Sequence, residues 1–442
     1  MSSSFDNIHP GLSQAGSLQI LSTPVSQLDS MSDYYMAASH LINFPGQETE
    51  QALILLVETD SEEQALVLAR RKAVEVLARL GCKAAIPAIG NCLRHQDHYL
   101  VENAAWALQE LGSEDVDLHQ IMISLLRDPS QNRRVLIQSL AALGVHEALS
   151  QIEILSDDDD PGVRGAALSA LARLVDRRDR LDELEAHLTL PNQMNRQSAI
   201  QDVIDCGGFD LLDAVLGAPV SPVFRMRAVR SLWPDGVAQH HGLNLEEVLD
   251  GLLLDHPDRL TLVHQYDEPP TNEFLVQEFF GTDFSRCYLA LKTLAGRSAE
   301  EIWPILDQRW CDEADNDYGA HYFFIRLFGS RLDWPLSARE KIEEIVREAI
   351  DNRRPQFMKS RPAAILAMIT INSEICKERF SSWISEEMMS FWECRYAALL
   401  AVQDFVALPD WQDVKSQLEL SESDANPYVR FKALCFKSRF VA

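Results

Sequence analysis

Asp317, Tyr318, His321 and Tyr322 stand together in "DEADNDYGAHYFF" (312–324). A carboxylate, a phenol and an imidazole this close can pass protons, so Asp317, Tyr318 and His321 are candidate catalytic groups, with Tyr322 beside them as a binding residue. The competing reading is an ordinary helix cap with aromatic packing, since acidic residues suit the first turn of a helix. A second group lies nearer the N-terminus. It comprises Tyr35 and His40 in "DYYMAASHLINFPG" (33–46), Glu102, Asn103 and Trp106 in "ENAAWALQELG" (102–112), and Gln138. A tryptophan with no burial reason suits a flat aromatic ligand. The Glu102 carboxylate, beside Asn103, can receive the N–H groups of such a ligand. The plain alternatives are a Trp106 packed into neighbouring elements, a Glu102 paired with Arg71 or Arg133, and a His40 that is a hydrogen-bonded structural imidazole.

Other chemistries lack their motifs. No GxSxG elbow, GxxxxGK[ST] loop, GxGxxG or HExxH occurs in the chain. A lone His-Glu pair in "HEAL" (146–149) is too little for a two-iron ligand set, so no metal enzyme is expected. "DDDDPG" (157–162) lacks the alternating oxygen ligands and distal Glu of a calcium loop and reads as a solvated turn before a helix.

The elements that hold these residues come from an internal repeat. "RKAVEVLARLG" (71–81), "ENAAWALQELG" (102–112), "RRVLIQSLAALG" (133–144), "RGAALSALARL" (164–174) and "RQSAIQDVIDCGG" (196–208) line up with leading positions about 31 residues apart. Several end in Leu-Gly, a helix C-cap signal. Each repeat is a helix, a turn and a second helix, and neighbours must stack to bury their apolar stripes. The fold expected is all-α, a HEAT-like α-solenoid that winds as a right-handed superhelix of helix pairs with a concave ligand-binding face. The repeat weakens but persists in "SRCYLALKTLAG" (285–296), "SRPAAILAMIT" (360–370), "ECRYAALLAVQDF" (393–405) and "NPYVRFKALCF" (426–436). "GAPVSPVFRMRAVRSLWPDG" (217–236) and "HQYDEPPTNEF" (264–274) read as irregular. The organisation expected is one continuous solenoid of two lobes, residues 1–235 and 236–442.

The second helix of each repeat is expected to line the concave side. Counting from the leading residue, position +4 falls opposite the buried stripe. That position holds Glu75, Trp106, Gln138 (counted from Arg134, so that the Leu-Gly ends align) and Leu168, and His40 joins them when the Pro-Gly of the opening helix is matched to Leu80-Gly81. A row of His40, Glu75, Trp106 and Gln138 inside the curve is the expectation.

Bulk properties narrow the setting. Forty basic against 67 acidic residues leave a net charge of −27, which repels nucleic acid. The acidity reads as solubility, or as a face for a basic partner. No run of 18 apolar residues occurs, so no membrane partner is expected. "MSSSFDNIHP" has neither the basic nor the apolar region of a signal peptide. The eight cysteines are scattered without a CxxC, as in reduced cytoplasmic proteins.

"YYMAASHLINFPG" and "YLVENAAWALQELG" resemble the phycobilin lyases of the E/F clade, most closely the cyanobacterial phycoerythrobilin lyases and lyase-isomerases. The resemblance implies binding of phycoerythrobilin as substrate, with no separate cofactor. It implies transfer of that bilin by a thioether to a cysteine of a phycoerythrin apo-subunit, with α the expected one, and, in some members, isomerisation to phycourobilin. Thiolate addition at ring A and isomerisation both need proton transfer, and Tyr318 and His321, oriented by Asp317, are the groups expected to supply it. Glu102 would hold pyrrole nitrogens, Trp106 would stack, and His40 and Tyr35 would line the pocket, with Arg71 and Arg133 as possible propionate partners. The other reading is a non-catalytic HEAT-repeat bilin chaperone or a phycobilisome assembly or degradation scaffold.

Overall fold

The ends of the repeat helices show why this sequence breaks where it does. In the computed structural model, which describes residues 11–406 and 408–441 with side chains through Ser438, the chain is helical almost throughout. "MSSSFDNIHP", with its missing signal-peptide pattern, lies outside the described residues. Asp33–His40 forms α1, Gln64–Arg79 α2, His98–Glu110 α3, Arg133–Ala142 α4 and Pro161–Val175 α5. The Leu-Gly endings of α2, α3 and α4 place Gly81, Gly112 and Gly144 at φ of 69°, 63° and 72°. That region favours glycine. The residue after each glycine then donates its N–H back across the last turn: Cys82 to Leu77 O at 3.1 Å, Ser113 to Leu108 O at 3.0 Å and Val145 to Leu140 O at 3.0 Å.

Contacts divide the chain into two units, residues 1–181 and 182–442. The boundary drawn from sequence at 235/236 therefore falls inside the second unit. The Pro-rich stretch that suggested it contains a helix, Pro222–Leu232 (α7), in which Pro222 occupies the first turn, where a missing N–H costs nothing. The other helices that matter in this unit are Gln193–Asp205 (α6), Leu245–Leu254 (α8), Phe284–Ala295 (α9), Tyr318–Gly329 (α10), Ser360–Ile371 (α11), Trp392–Val402 (α12) and Pro427–Val441 (α13). A two-residue hairpin, Gln239–His240 with Leu243–Asn244, leads into α8.

In the first unit α1 to α5 stack in order through alanine-rich faces, with Ala69, Ala73, Ala104, Ala105, Ala141, Ala166 and Ala167 buried. In the second, α9 to α13 stack the same way. Backbones come close at Gly329 in α10, where an added Cβ would collide with Ala367 of α11.

The basic residue that leads each repeat has a structural partner. Arg71 bonds Asp97, the N-cap of α3, at 2.7 and 2.8 Å. Arg133 reaches Asp158 at 2.8 Å, Arg196 reaches Asp283 at 2.6 Å, and Arg395 grips Asp424 with two bonds of 2.6 and 2.8 Å. Each arginine ties one repeat to the capping turn of another. The acidic run at 157–162 serves this ladder, because Asp158 takes Arg133 while Asp160 caps α5 through the Gly162 N–H at 2.8 Å.

Helix α8 departs from the ladder. It packs against α11, α12 and α13 together. The buried Lys432 of α13 donates to Glu246 at 2.8 Å and to Asp250 at 2.7 Å, and Tyr396 of α12 donates to Asp250 at 2.8 Å.

Candidate functional site

The C-terminal end of α8 builds a buried polar centre. Asp255, at φ 42°, closes the helix and is 1% exposed. Arg225 of α7 bonds its Oδ1 at 2.5 Å, Tyr288 of α9 donates to its Oδ2 at 2.6 Å, and Tyr322 of α10 donates to the same oxygen. Burial works against the Asp255 charge, yet Arg225 and Arg326 hold its carboxyl below the usual range. Burial, reinforced by Asp255, pushes both tyrosines well above the ordinary phenol value. Tyr288, Tyr322 and Tyr396 are each the fifth residue of their helix, so the repeat delivers three hydroxyls to the acids of α8 and its cap.

Beside this centre lies a cleft of about 250 Å³. Its wall is mostly apolar: Pro222, Val223 and Met226 from α7, Leu252 and Leu253 from α8, Met358, Pro362, Ala363 and Phe391. Into it come Arg227 and Arg230, one turn apart on α7, Lys359 just before α11, Glu393 in the first turn of α12, and Tyr322. Among the described residues, Arg227, Arg230 and Lys359 make no ion pair, and the Glu393 carboxyl takes only its own backbone N–H. In a chain of net charge −27, three unpaired cations around one apolar cleft are a pronounced local reversal.

Lys359 is held by rings. Its Nζ lies 4.6 Å from the centre of Phe284 and 5.3 Å from those of Tyr318 and Tyr322. Burial pulls its ammonium down to about 8, against the opposing pull of Cys287, Asp255 and Asp317. Burial pushes the Glu393 carboxyl up, against Arg230 and Arg395. Groups displaced toward neutrality in one cleft mark a site suited to proton transfer.

The residues singled out from sequence fall differently. Asp317 is the N-cap of α10, accepting from Gly319 and Ala320 N–H at 2.9 and 2.8 Å. Tyr318 is 58% exposed with Lys359 over its ring. His321 does not join them: it is buried between Trp310 and Phe357, at ring separations of 5.1 and 4.7 Å. Burial, with Arg354 and Lys359 nearby, pulls it down to about 4. It lies one residue out of phase with Tyr322, which reaches the cleft.

In the first unit His40 leaves the expected row. It is 3% exposed, sits edge-on to Phe44, and its Nε2 meets Leu12 O at 2.5 Å. Glu75, Trp106 and Gln138 are half-buried on α2, α3 and α4. Glu75 is occupied by Lys72 and Arg79 at 2.8 and 2.9 Å, and Trp106 packs on the core of its unit. Tyr35 is exposed with Lys72 over its ring at 5.7 Å, while Tyr34 is the packed member of the pair. Asn103 donates to Arg71 O at 3.2 Å. Glu102 is half-buried and takes neither Arg71 nor Arg133, which are bound to Asp97 and Asp158. The cleft itself escaped the sequence reading. Its signals were the arginines three apart in "FRMRAVR" and the recurring fifth-position tyrosine.

Residues 50–141 match the HEAT-repeat family, the class that the stacked helix pairs define. Among solved structures, the complex of CpcE and CpcF of phycocyanin lyase from Nostoc sp. PCC7120 aligns with 55% of this chain and 95% of that one, at 23% identity and a TM-score of 0.46. An uncharacterized phycocyanin operon protein Y of Pseudanabaena tenuis (strain PCC 7409) is 35% identical over 396 residues, 89% of this chain and 92% of that protein. The bilin biosynthesis protein CpeY of Synechococcus sp. (strain WH8020) is 44% identical over 409 residues, 92% of this chain and 98% of that protein. The chain belongs to the E/F clade of phycobilin lyases. No described helix is long and apolar enough to cross a membrane.

Proposed function

We propose that this protein is a phycoerythrobilin lyase and that the α7–α8–α11–α12 cleft holds the bilin. It joins ring A by a thioether to a cysteine of a phycoerythrin apo-subunit, α in this reading, and the same pocket yields phycourobilin where ring A is isomerised. The observation that carries the proposal is the apolar cleft with three unpaired cations. A linear tetrapyrrole is a long apolar π-system with two propionates, and it asks for that combination. Arg227 and Arg230 suit the propionates, and Lys359 adds a third cation to the same cleft. The cleft is open and, at about 250 Å³, smaller than most closed ligand pockets of roughly 300–1,000 Å³, so part of the bilin stays accessible to the acceptor. Burial pushes the Cys287, Cys376 and Cys394 thiols up to about 12, which fits an acceptor thiol on the partner rather than here. The bilin enters as substrate, without a further cofactor, and the reaction takes place in the cytoplasm.

The test is co-expression with phycoerythrobilin synthesis and candidate apo-subunits, followed by absorbance of the purified, denatured subunit. A covalent phycoerythrobilin band identifies a lyase, and a blue-shifted phycourobilin band a lyase-isomerase. Bilin held by this protein with no covalent product on any apo-subunit would replace the proposal with a bilin chaperone or assembly scaffold.

A further inference from the structure

We propose that Glu393 is the group that protonates the bound tetrapyrrole: its carboxyl gives a proton to the imine nitrogen, and the resulting carboxylate stays paired with the pyrrole N–H groups. The inference rests on the bilin-lyase reading and adds the residue that activates the substrate.

Glu393 lies in the first turn of α12 and lines the same cleft as Arg227, Arg230 and Lys359. A carboxyl on an apolar wall normally finds a donor, because leaving it unpaired is costly. Glu393 has only its own backbone N–H, which leaves most of its acceptor capacity open. Arg230 on α7 and Arg395 on its own helix act on it only through their fields. Glu393 is the one carboxyl among the residues that line the cleft, and it keeps acceptor capacity for the pyrrole N–H groups of a bound tetrapyrrole.

The other acids and hydroxyls are committed. Asp255 is saturated by Arg225, Tyr288 and Tyr322, and the Tyr322 hydroxyl is spent on Asp255. The Lys359 ammonium is held over three rings, and giving up its proton would forfeit that attraction. Burial pushes the Glu393 carboxyl up, which favours its protonated form in the cleft.

The step conserves atoms and electrons. The carboxyl proton moves to the imine nitrogen, making the conjugated system cationic and ring A electrophilic. The acceptor thiol loses its proton to solvent and its sulfur bonds to the ethylidene carbon. The π pair of that double bond moves into the system, neutralising it, and tautomerisation leaves the transferred proton on ring A carbon. Solvent reprotonates Glu393. The sum is S–H added across C=C, with no change of oxidation state.

The experiment is a pH titration, from about pH 5 to 9, of phycoerythrobilin bound to the full-length protein, followed by absorbance. Wild type is expected to keep the red-shifted spectrum of protonated bilin at neutral pH. Glu393→Gln should still bind bilin but show the neutral spectrum, its apparent pKa at least about one unit lower, a tenfold change in protonation. It should also slow attachment about tenfold or more, with Glu393→Asp restoring the spectrum in part. Bound Glu393→Gln with a wild-type titration and a wild-type attachment rate would overturn the inference alone. Failure of wild type to bind bilin at all would overturn the lyase reading on which it rests.

Discussion

His321→Phe separates structural from catalytic roles for a residue whose type invites the second. The imidazole is 3% exposed and is pulled from 6.5 to about 4, first by burial and then by Arg354 and Lys359. The folded protein thus holds it neutral where the unfolded chain would protonate it. Its contribution is fully present above pH 6.5 and is lost as pH falls toward 4, because the unfolded state binds the extra proton. At 1.36 kcal/mol per unit, the shift corresponds to about 3 kcal/mol at the acid end and about 2 kcal/mol by pH 5. Carboxyls elsewhere titrate in the same range, so the quantity to measure is a difference between proteins. Urea unfolding at several values from pH 7.5 to 4.5 should show wild type losing about 2 kcal/mol more than His321→Phe by pH 5. The variant should keep bilin attachment at neutral pH. Parallel pH curves would show that burial does not hold the ring neutral, and abolished attachment in a folded variant would return His321 to the chemistry.

Four further outcomes follow from the geometry. Arg225→Met leaves Asp255 charged and buried without its guanidinium, so urea unfolding should show a loss of about 3–5 kcal/mol; an unchanged midpoint would mean the pair is hydrated. Tyr318→Phe removes an exposed hydroxyl beside Lys359 and should lower the phycourobilin fraction more than total attachment; equal losses of both, with the fold intact, would exclude a role in isomerisation. Trp106→Ala should leave phycoerythrobilin affinity within about twofold, because every cleft residue comes from the second unit; weakening of about tenfold, near 1.4 kcal/mol, would assign the aromatic contact to the first unit. Arg227→Ala with Arg230→Ala removes the two cations proposed to hold the propionates and should weaken bilin binding by at least about tenfold; unchanged binding would move the bilin out of this cleft.

The parts of this fold that could be read along the chain are those set by neighbours in sequence. The Leu-Gly ends of α2, α3 and α4 were legible because only glycine settles easily at φ near +65°, and Gly81, Gly112 and Gly144 do so. The Asp317 cap was legible for the same local reason. The partners of the leading arginines were not, since Arg71–Asp97 or Arg225–Asp255 spans 26 or 30 residues. Residue type identified His40 and His321 as suspects, but their direction depends on helix phase. One position along α10 separates buried His321 from Tyr322, which lines the cleft. The cleft draws on five helices between Pro222 and Glu393, and the three prolines of 217–236 made its first wall look like a loop. Pro222 begins α7 instead.

The most direct test of the account is the affinity for phycoerythrobilin of wild type against the Arg227→Ala, Arg230→Ala double variant, by absorbance titration at moderate salt. Each charge-assisted bond to a propionate is worth about 1.5–3 kcal/mol, so the account predicts weakening of at least tenfold, with unfolding of the two proteins unchanged. Equal affinities would contradict it, because the bilin would then lie somewhere other than this cleft.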